Sequence, residues 1–307
     1  MASRESAERA ARRIKASVEP EAAAGGYMDH EPGDPLVRVT GHEIADSLRA
    51  AGLSAGETVL FHSSLSSMGT VVGGADAVID GFLDAVGPAG TVAAPTLSSW
   101  RELHEKRRVW NLWSIADTPT YCGLIPETFR RRSEAQRSNH YTHSVSAIGP
   151  RAEQLTVDHG RSGLRESPWG PGAFAVQSPW QRFYDWNVFY CLIGVNCQRL
   201  TMVHFVETHL VHRALARAAP DRRKALLAQV RGWTSNGIWA GIGTDKRLVA
   251  EEIFAEKGLL EYGAIGSARL RYMRIQPVVD TWIALAEADP AYWCSEDFVR
   301  WLEHTGS

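Results

Sequence analysis

The stretch Asn196-Cys-Gln-Arg-Leu-Thr201-Met-Val-His204-Phe-Val-Glu207 holds the residue types best suited to proton chemistry. His204 and Glu207 are three apart, so they share a face if a helix begins here. A neutral imidazole can take a proton from an amine. A carboxylate beside it fixes the tautomer and stabilises the imidazolium as it forms. On its own such a pair is common and reads first as structural. The run of His204, Glu207, His209 and His212 also has metal-binding residue types. It is neither HExxH nor HxxEH, however, and helical geometry scatters the three imidazoles, so no metal is expected. Cys197 lies in the loop ahead of His204 and could carry an acyl group as a thiolate. Direct transfer is preferred, and Cys191, inside an apolar run, reads as inert core.

A second chemical element precedes this one. Residues 57–61 form a short β-branched and apolar run that reads as a buried strand. His62-Ser63-Ser64-Leu65-Ser66 follows at its end, then the glycine loop Gly69-Thr70-Val71-Val72-Gly73-Gly74. Residues 75–86 place Ala75, Val78, Ile79, Phe82 and Val86 on one helical stripe. Gly87-Pro88-Ala89-Gly90 closes the helix, and residues 91–94 are a second strand. Hydroxyls, glycines and unpaired N–H groups at a helix N-terminus suit an anion. The loop matches neither GxGxxG nor GxxxxGK[ST]. A tight strand-to-helix connection is the plain alternative.

These elements sit in an ordinary globular composition. The chain has 307 residues, 44% hydrophobic and 22% charged, with a net charge of −2. That balance makes no case for nucleic acid or an anionic membrane, and no apolar run approaches the ~18 residues of a span. The 4 cysteines show no CxxC pair and fit thiols in a reducing cytoplasm. Of the 11 tryptophans, Trp100, Trp110, Trp113, Trp169, Trp180 and Trp186 fall in loop-like segments and suggest an aromatic-lined cleft. Residues 1–38 read as a flexible N-terminal extension, and residues 39–307 as the folded domain. Thr40 with Glu43 makes a capping box for a helix over 41–51. Residues 98–121 have no clean period and are placed over the cleft. Further strands are expected at 145–148, 188–195 and 264–275. Helices are expected at 124–132, 151–158, 202–216, 222–230, 249–256, 278–288 and 296–304. Strands spaced by helices predict a single α/β domain with a central mixed, mainly parallel sheet flanked by helices.

The pattern HSSLSSMGTVVGGADAVID followed by GPAGTVAAPTLS resembles the opening signature of the aminoglycoside 3-N-acetyltransferase (antibiotic N-acetyltransferase) family. Arg137-Ser138-Asn139-His140, Ser144 and the Ala147-Ile148-Gly149-Pro150 turn match a second family element. Gly170, Gly172, Ser178 and Pro179 match a third. A strand closing on Leu192-Ile193-Gly194-Val195, then Thr201-Met-Val-His204-Phe-Val-Glu207, completes the order from about residue 41 to 290.

The resemblance implies an acetyl-CoA-dependent N-acetyltransferase, with acetyl-CoA as cosubstrate and a small-molecule amine as acceptor. It makes His204 the general base, Glu207 its orienting carboxylate, and Thr201 a neighbour able to hydrogen-bond substrate or thioester oxygen. Ser63, Ser64, Leu65, Val72, Gly73 and Gly74 carry over as the CoA-binding segment. Arg137 and Ser138 carry over as phosphate or pantetheine contacts, for which a guanidinium is chemically apt. A cytoplasmic enzyme is expected, with a homodimer allowed for. Tyr141 stands where the family usually has Pro, and His143 is unusual. Residues 98–113 are net basic (Arg101, His104, Lys106, Arg107 and Arg108 against Glu102 and Glu105), whereas an aminoglycoside needs an acidic cleft. The acceptor expected is therefore an aromatic, neutral or acidic natural-product or peptide amine. The alternatives are an aminoglycoside 3-N-acetyltransferase conferring antibiotic resistance, a non-catalytic CoA-binding relative, and a hydrolase using Cys197 or Ser64, for which no GxSxG elbow exists.

Overall fold

The computed structural model describes residues 30–98, 113–236 and 239–305, without the side chains of 231–236. Three central strands carry the architecture: β2 (Thr58–Ser63), β4 (Thr91–Pro95) and β7 (Phe189–Ile193). β2 pairs in parallel with both neighbours, Leu60 with Ala93 on one side and Tyr190 on the other. β5 (Gln136–Arg137) and β6 (Val145–Ile148) extend one edge, β9 (Ala268–Arg274) and β8 (Leu260–Ile265) the other. The order is β5-β6-β4-β2-β7-β9-β8. Within this seven-stranded sheet every pairing outside the central three strands is antiparallel. The sheet is mixed as expected, but parallel only at its centre. The strand β8 escapes sequence reading because Glu261 to Ala264 are exposed at the sheet edge and carry no apolar alternation. Its hairpin turns at Gly266 (φ 58°), where a Cβ would lie 2.2 Å from the Met68 carbonyl oxygen.

Side chains alternate across this sheet with period two. Val59, Phe61, Val92 and Ile193 face a layer made by α1 (Gly41–Ala50), α2 (Gly74–Val86) and α3 (Leu124–Arg130). Leu60, Ala93, Tyr190 and Leu192 face the other layer. There lie α5 (Pro179–Asp185), α6 (Met202–Arg217), α8 (Thr244–Glu256) and α9 (Ile275–Ala288). The short α4 (Ala152–Thr156) and the helices α7 (Pro220–Asn236), α10 (Pro290–Trp293) and α11 (Glu296–Glu303) complete the domain. The Thr40 capping box is present: Glu43 N–H donates to Thr40 Oγ1 at 3.3 Å, and Thr40 N–H donates to the Glu43 carboxylate at 2.8 Å. Helices α7 and α8 begin earlier than their apolar stripes suggest. Their first turns are polar, with Arg222 and Arg223 in one and Asp245 and Arg247 in the other. No helix among the described residues is long and apolar enough to cross a membrane.

Residues 30–38, which the composition assigns to an extension, are held against the domain. Glu31 N–H donates to Gly194 O at 2.9 Å, and Asp34 N–H to Ser267 Oγ at 2.9 Å. Strand β1 (Arg38–Val39) pairs in parallel with β3 (Thr70–Val71). Residues 1–29 lie outside the described residues. Buried Arg271 ties this segment in. It reaches Glu251 at 2.5 Å, Glu31 at 2.9 Å and Val195 O at 3.1 Å. The other Glu251 oxygen accepts from Cys197 N–H at 2.8 Å. Removing one partner of a buried pair strands the other charge. Glu251→Ala is therefore expected to lower unfolding free energy by roughly 3–5 kcal/mol, read from urea titration; a change below about 1 kcal/mol would contradict this account.

Candidate active site

Helix α6 starts just past the carboxyl end of β7, at the crevice where open α/β sheets place ligands. His204 and Glu207 lie on its first turns. His204 Nδ1–H donates to Glu207 Oε2 at 2.8 Å. Glu207 is buried, and its two oxygens receive two further donors: Trp239 Nε1–H at 3.0 Å and Ile242 N–H at 2.7 Å. Burial raises the Glu207 pKa, but the charge and hydrogen bond of His204, the Arg247 charge and the Trp239 N–H outweigh it, so the carboxyl stays below its usual range. Burial pulls the His204 imidazole down, and Glu207 offsets only part of that. The pair at neutral pH is a carboxylate and a neutral imidazole. His204 Nε2 has no hydrogen-bond partner among the described residues, and its side chain is 20% exposed. The Nε2 lone pair is thus left without an acceptor's duty inside the described residues, the arrangement that proton transfer would need.

Aromatic rings surround that imidazole. Trp169 packs 4.0 Å from the His204 ring, Phe174 6.3 Å and His143 5.9 Å. Trp169 thus belongs to an aromatic-lined site as expected, whereas Trp180 is core and Trp186 lies under Arg151. Residues 99–112, with Trp100, Trp110 and most of the basic loop expected over the cleft, lie outside the described residues. Thr201 occupies the cap position of α6, yet its hydroxyl caps nothing there. It lies 3.4 Å from His62 Nε2 instead. His209 and His212 do not turn toward His204. Each has a ring nitrogen on a backbone carbonyl, of Phe205 at 2.9 Å and of Glu166 at 3.4 Å. Cys197 is fully buried, and burial with Glu251 nearby pushes its thiol well up, which opposes a thiolate nucleophile.

The expected CoA segment lies at the end of β2 and the start of α2. Ser64 N–H donates to Ile193 O at 2.9 Å, and Ser64 Oγ, on the surface, is 3.2 Å from Ser66 Oγ. Ser63 Oγ is buried without a hydrogen-bond partner. Leu65 opens a single 3₁₀ turn, and Val72 is exposed. Gly73 (φ 91°) and Gly74 (φ 61°) lead into α2 without a side-chain cap. A Cβ on Gly74 would meet nothing within 4 Å, so its backbone fronts open space. Arg137 and Ser138 are placed differently. Arg137 donates to the carbonyls of Thr96 at 2.7 Å and Thr118 at 2.6 Å and to Ser144 Oγ at 3.1 Å, and stacks on Trp113. Burial lowers its pKa to about 10. Ser138 is fully buried, accepting from Val145 N–H at 2.9 Å and bonding His159 Nδ1 at 2.8 Å. Both side chains are thus engaged in knitting β4, β5 and β6 together.

Sequence reading assigns no role to His62, His143, Trp239 or the Ile242 amide. For His62 a signal existed: two residues after Leu60 on one strand, it must face the same helical layer. For Trp239 and Ile242 none did, because they lie more than thirty positions from Glu207 with no shared periodicity.

The chain matches the family model described as aminoglycoside 3-N-acetyltransferase over residues 60–287. It is 30% identical over 267 residues to the SPbeta prophage-derived aminoglycoside N(3')-acetyltransferase-like protein YokD of Bacillus subtilis, covering 78% of this chain and 90% of that protein. It is 32% identical over 242 residues to aminoglycoside N(3)-acetyltransferase VII of Streptomyces paromomycinus, covering 74% of this chain and 75% of that one. Among solved structures, aminoglycoside acetyltransferase AAC(3)-IVa as apoenzyme superposes with a TM-score of 0.64 at 22% identity, over 90% of this chain and 100% of that one. The crystal structure of YokD gives 0.59 at 26% identity, over 80% and 98%.

The buried imidazoles set an acid limit on this site. Burial lowers His62 and His159 to about 3, and His140 and His143 well below the usual value. Unfolding returns each to about 6.5, so below that pH the unfolded chain binds more protons. Stability should fall as pH drops from 6.5, by up to about 1.4 kcal/mol per pH unit for each histidine. Equal urea midpoints at pH 7.5 and pH 5 would refute this.

Proposed function

The chain belongs to the aminoglycoside 3-N-acetyltransferase family, and from that premise we propose how it transfers an acetyl group from acetyl-CoA to the amine of a small molecule. The observation that carries the reading is the His204–Glu207 dyad, held by Trp239 and the Ile242 amide with the His204 Nε2 lone pair left over. Gly73 and Gly74, the uncapped start of α2 and the unpartnered Ser63 hydroxyl are in keeping with the pantetheine and phosphate end of the cosubstrate. His204 Nε2 takes the amine proton as the nitrogen adds to the thioester carbonyl. Glu207 stabilises the imidazolium. When the tetrahedral adduct collapses, the C–S bond breaks, and the same imidazolium returns the proton to the departing thiolate. The products are the N-acetyl amine and free CoA. The four thiols are free, which fits a reducing cytoplasm.

For the acceptor we favour an aromatic, neutral or acidic amine over a polycationic aminoglycoside. Arg199 and Arg247 are the cations whose charge is felt by His62, His204 and Glu207. The only carboxylate in that set, Glu207, already has three donors. Trp169, half-buried against the His204 ring, offers flat apolar contact. The relatives' names point instead to aminoglycosides, so both classes belong in one assay. Acetyl-CoA is offered with aminoglycosides, amino sugars, aromatic amines and short peptides, following thiol release and product mass. An aromatic or neutral amine is expected to show at least about tenfold higher kcat/KM than any aminoglycoside; the reverse order overturns the acceptor assignment. His204→Ala should cost roughly 10²–10⁴-fold in kcat while acetyl-CoA still binds. The wild-type rate should fall on the acid side of an apparent pKa below 6.5, as His204 protonates. An activity that survives His204→Ala removes the general base.

A further inference from the structure

His62 has no part in the proton transfer, yet it sits half-buried against the site. Strand alternation puts it on the same sheet face as Leu60 and Tyr190, toward the start of α6. Its ring stacks on Tyr190 at 5.6 Å and 27°. Its Nε2 is 3.4 Å from Thr201 Oγ1, the contact that replaces the capping bond this hydroxyl would otherwise make on its own helix. Burial, with the Arg199 charge, keeps the imidazole neutral, so a ring N–H is available while no net charge faces the site. A hydroxyl that accepts from a ring N–H has its own proton free for another acceptor.

Resting on the acetyl-transfer reading, we propose that His62 is a positioning residue for Thr201: its Nε2–H donates to Thr201 Oγ1 and directs the Thr201 proton to the thioester carbonyl oxygen. Negative charge gathers on that oxygen as the amine adds, and a preset donor there lowers the barrier. Thr201 stands at the head of the sixteen-residue helix α6, whose dipole favours the same negative charge. His204 and Thr201 thereby divide the work: one handles the amine proton, the other the developing oxyanion. With the opposite tautomer Thr201 would donate to His62, and removing His62 would leave the rate unchanged or raise it.

The test compares His62→Leu, His62→Gln, Thr201→Val and the Leu/Val double variant. Thr201→Val should lower kcat by roughly 10–100-fold and His62→Leu by roughly tenfold. Affinity for acetyl-CoA should stay within about twofold, and the acid limb of the pH profile should not move. The double variant should be no slower than Thr201→Val, because both changes remove one device. His62→Gln keeps an N–H at the end of its side chain and should recover most of the loss. If His62→Leu fails to fold, the Gln variant against Thr201→Val carries the comparison. A second readout needs no acceptor. The infrared stretch of carbonyl-labelled acetyl-CoA should drop on binding to wild type and return toward the free value in Thr201→Val and His62→Leu. An unshifted wild-type stretch, additive losses, or full activity of His62→Leu overturns the proposal and leaves acetyl transfer standing. Failure of wild type to bind acetyl-CoA at all overturns the acetyl-transfer reading on which it rests.

Discussion

A carboxylate in a protein interior is tolerated only when its lone pairs are met, because desolvating an unpaired charge costs several kcal/mol. Glu207 imposes that condition on the molecule. Its three donors come from helix α6 itself, from an indole and from a backbone amide, the last two on the segment leading into α8. The segment must therefore lie against α6, and the packing of α8 beside the 3₁₀ turn Cys197–Arg199 follows from the same closure. The Arg247 charge beside the carboxylate comes with it. Arg247 itself donates to Ile242 O at 3.2 Å and Gln198 O at 3.0 Å, so the cation is fixed by the strands of chain it holds together. The His204 ring is held in place because its carboxylate partner is held in place.

The parallel centre of the sheet supplies the other half. Three strands running the same way finish at one end of the sheet, and each finishes in polar residues: Ser63 and Ser64 at the end of β2, Thr96 and Ser98 after β4, Asn196 after β7. Antiparallel β6 begins at that end with His143 and Ser144 just ahead of it. A fully antiparallel sheet would distribute these residues between its two ends. The buried Thr96 carbonyl where β4 ends accepts from both Arg137 and Ser144. A side chain whose residue type suits phosphate is thus engaged in holding that end of the sheet itself.

How much of this is legible in the chain depends on the range of the interaction. The α6 dyad, the capping box at Thr40 and the glycine entry to α2 are local, and spacing alone places them. Strands β2, β4 and β7 are buried on both faces and read as short apolar runs. Contacts that depend on tertiary approach leave no such trace. Arg137 shows its chemistry but not its partners, which lie up to 41 residues away. Trp239 and the Ile242 amide carry no pattern that links them to Glu207. The edge strand β8 is mostly exposed, and the two-residue strands β1, β3 and β5 are too short to have a period.

Glu31 is bonded to Arg271, 240 positions further along the chain, and its amide to Gly194. Two partners of the earliest described segment, Ser267 and Arg271, are thus among the later parts to be synthesised. While a ribosome is at work, β2, α2 and β4 can associate as their residues emerge, but β1 and the stretch before it have no complete seat until β9 has been made and turned back beside β7. The contact order of this closure is high, and long loops must be closed before any contact rewards them. The domain is consequently sealed only after nearly all of its length has left the exit tunnel. Residues 30–39 finish the fold rather than begin it.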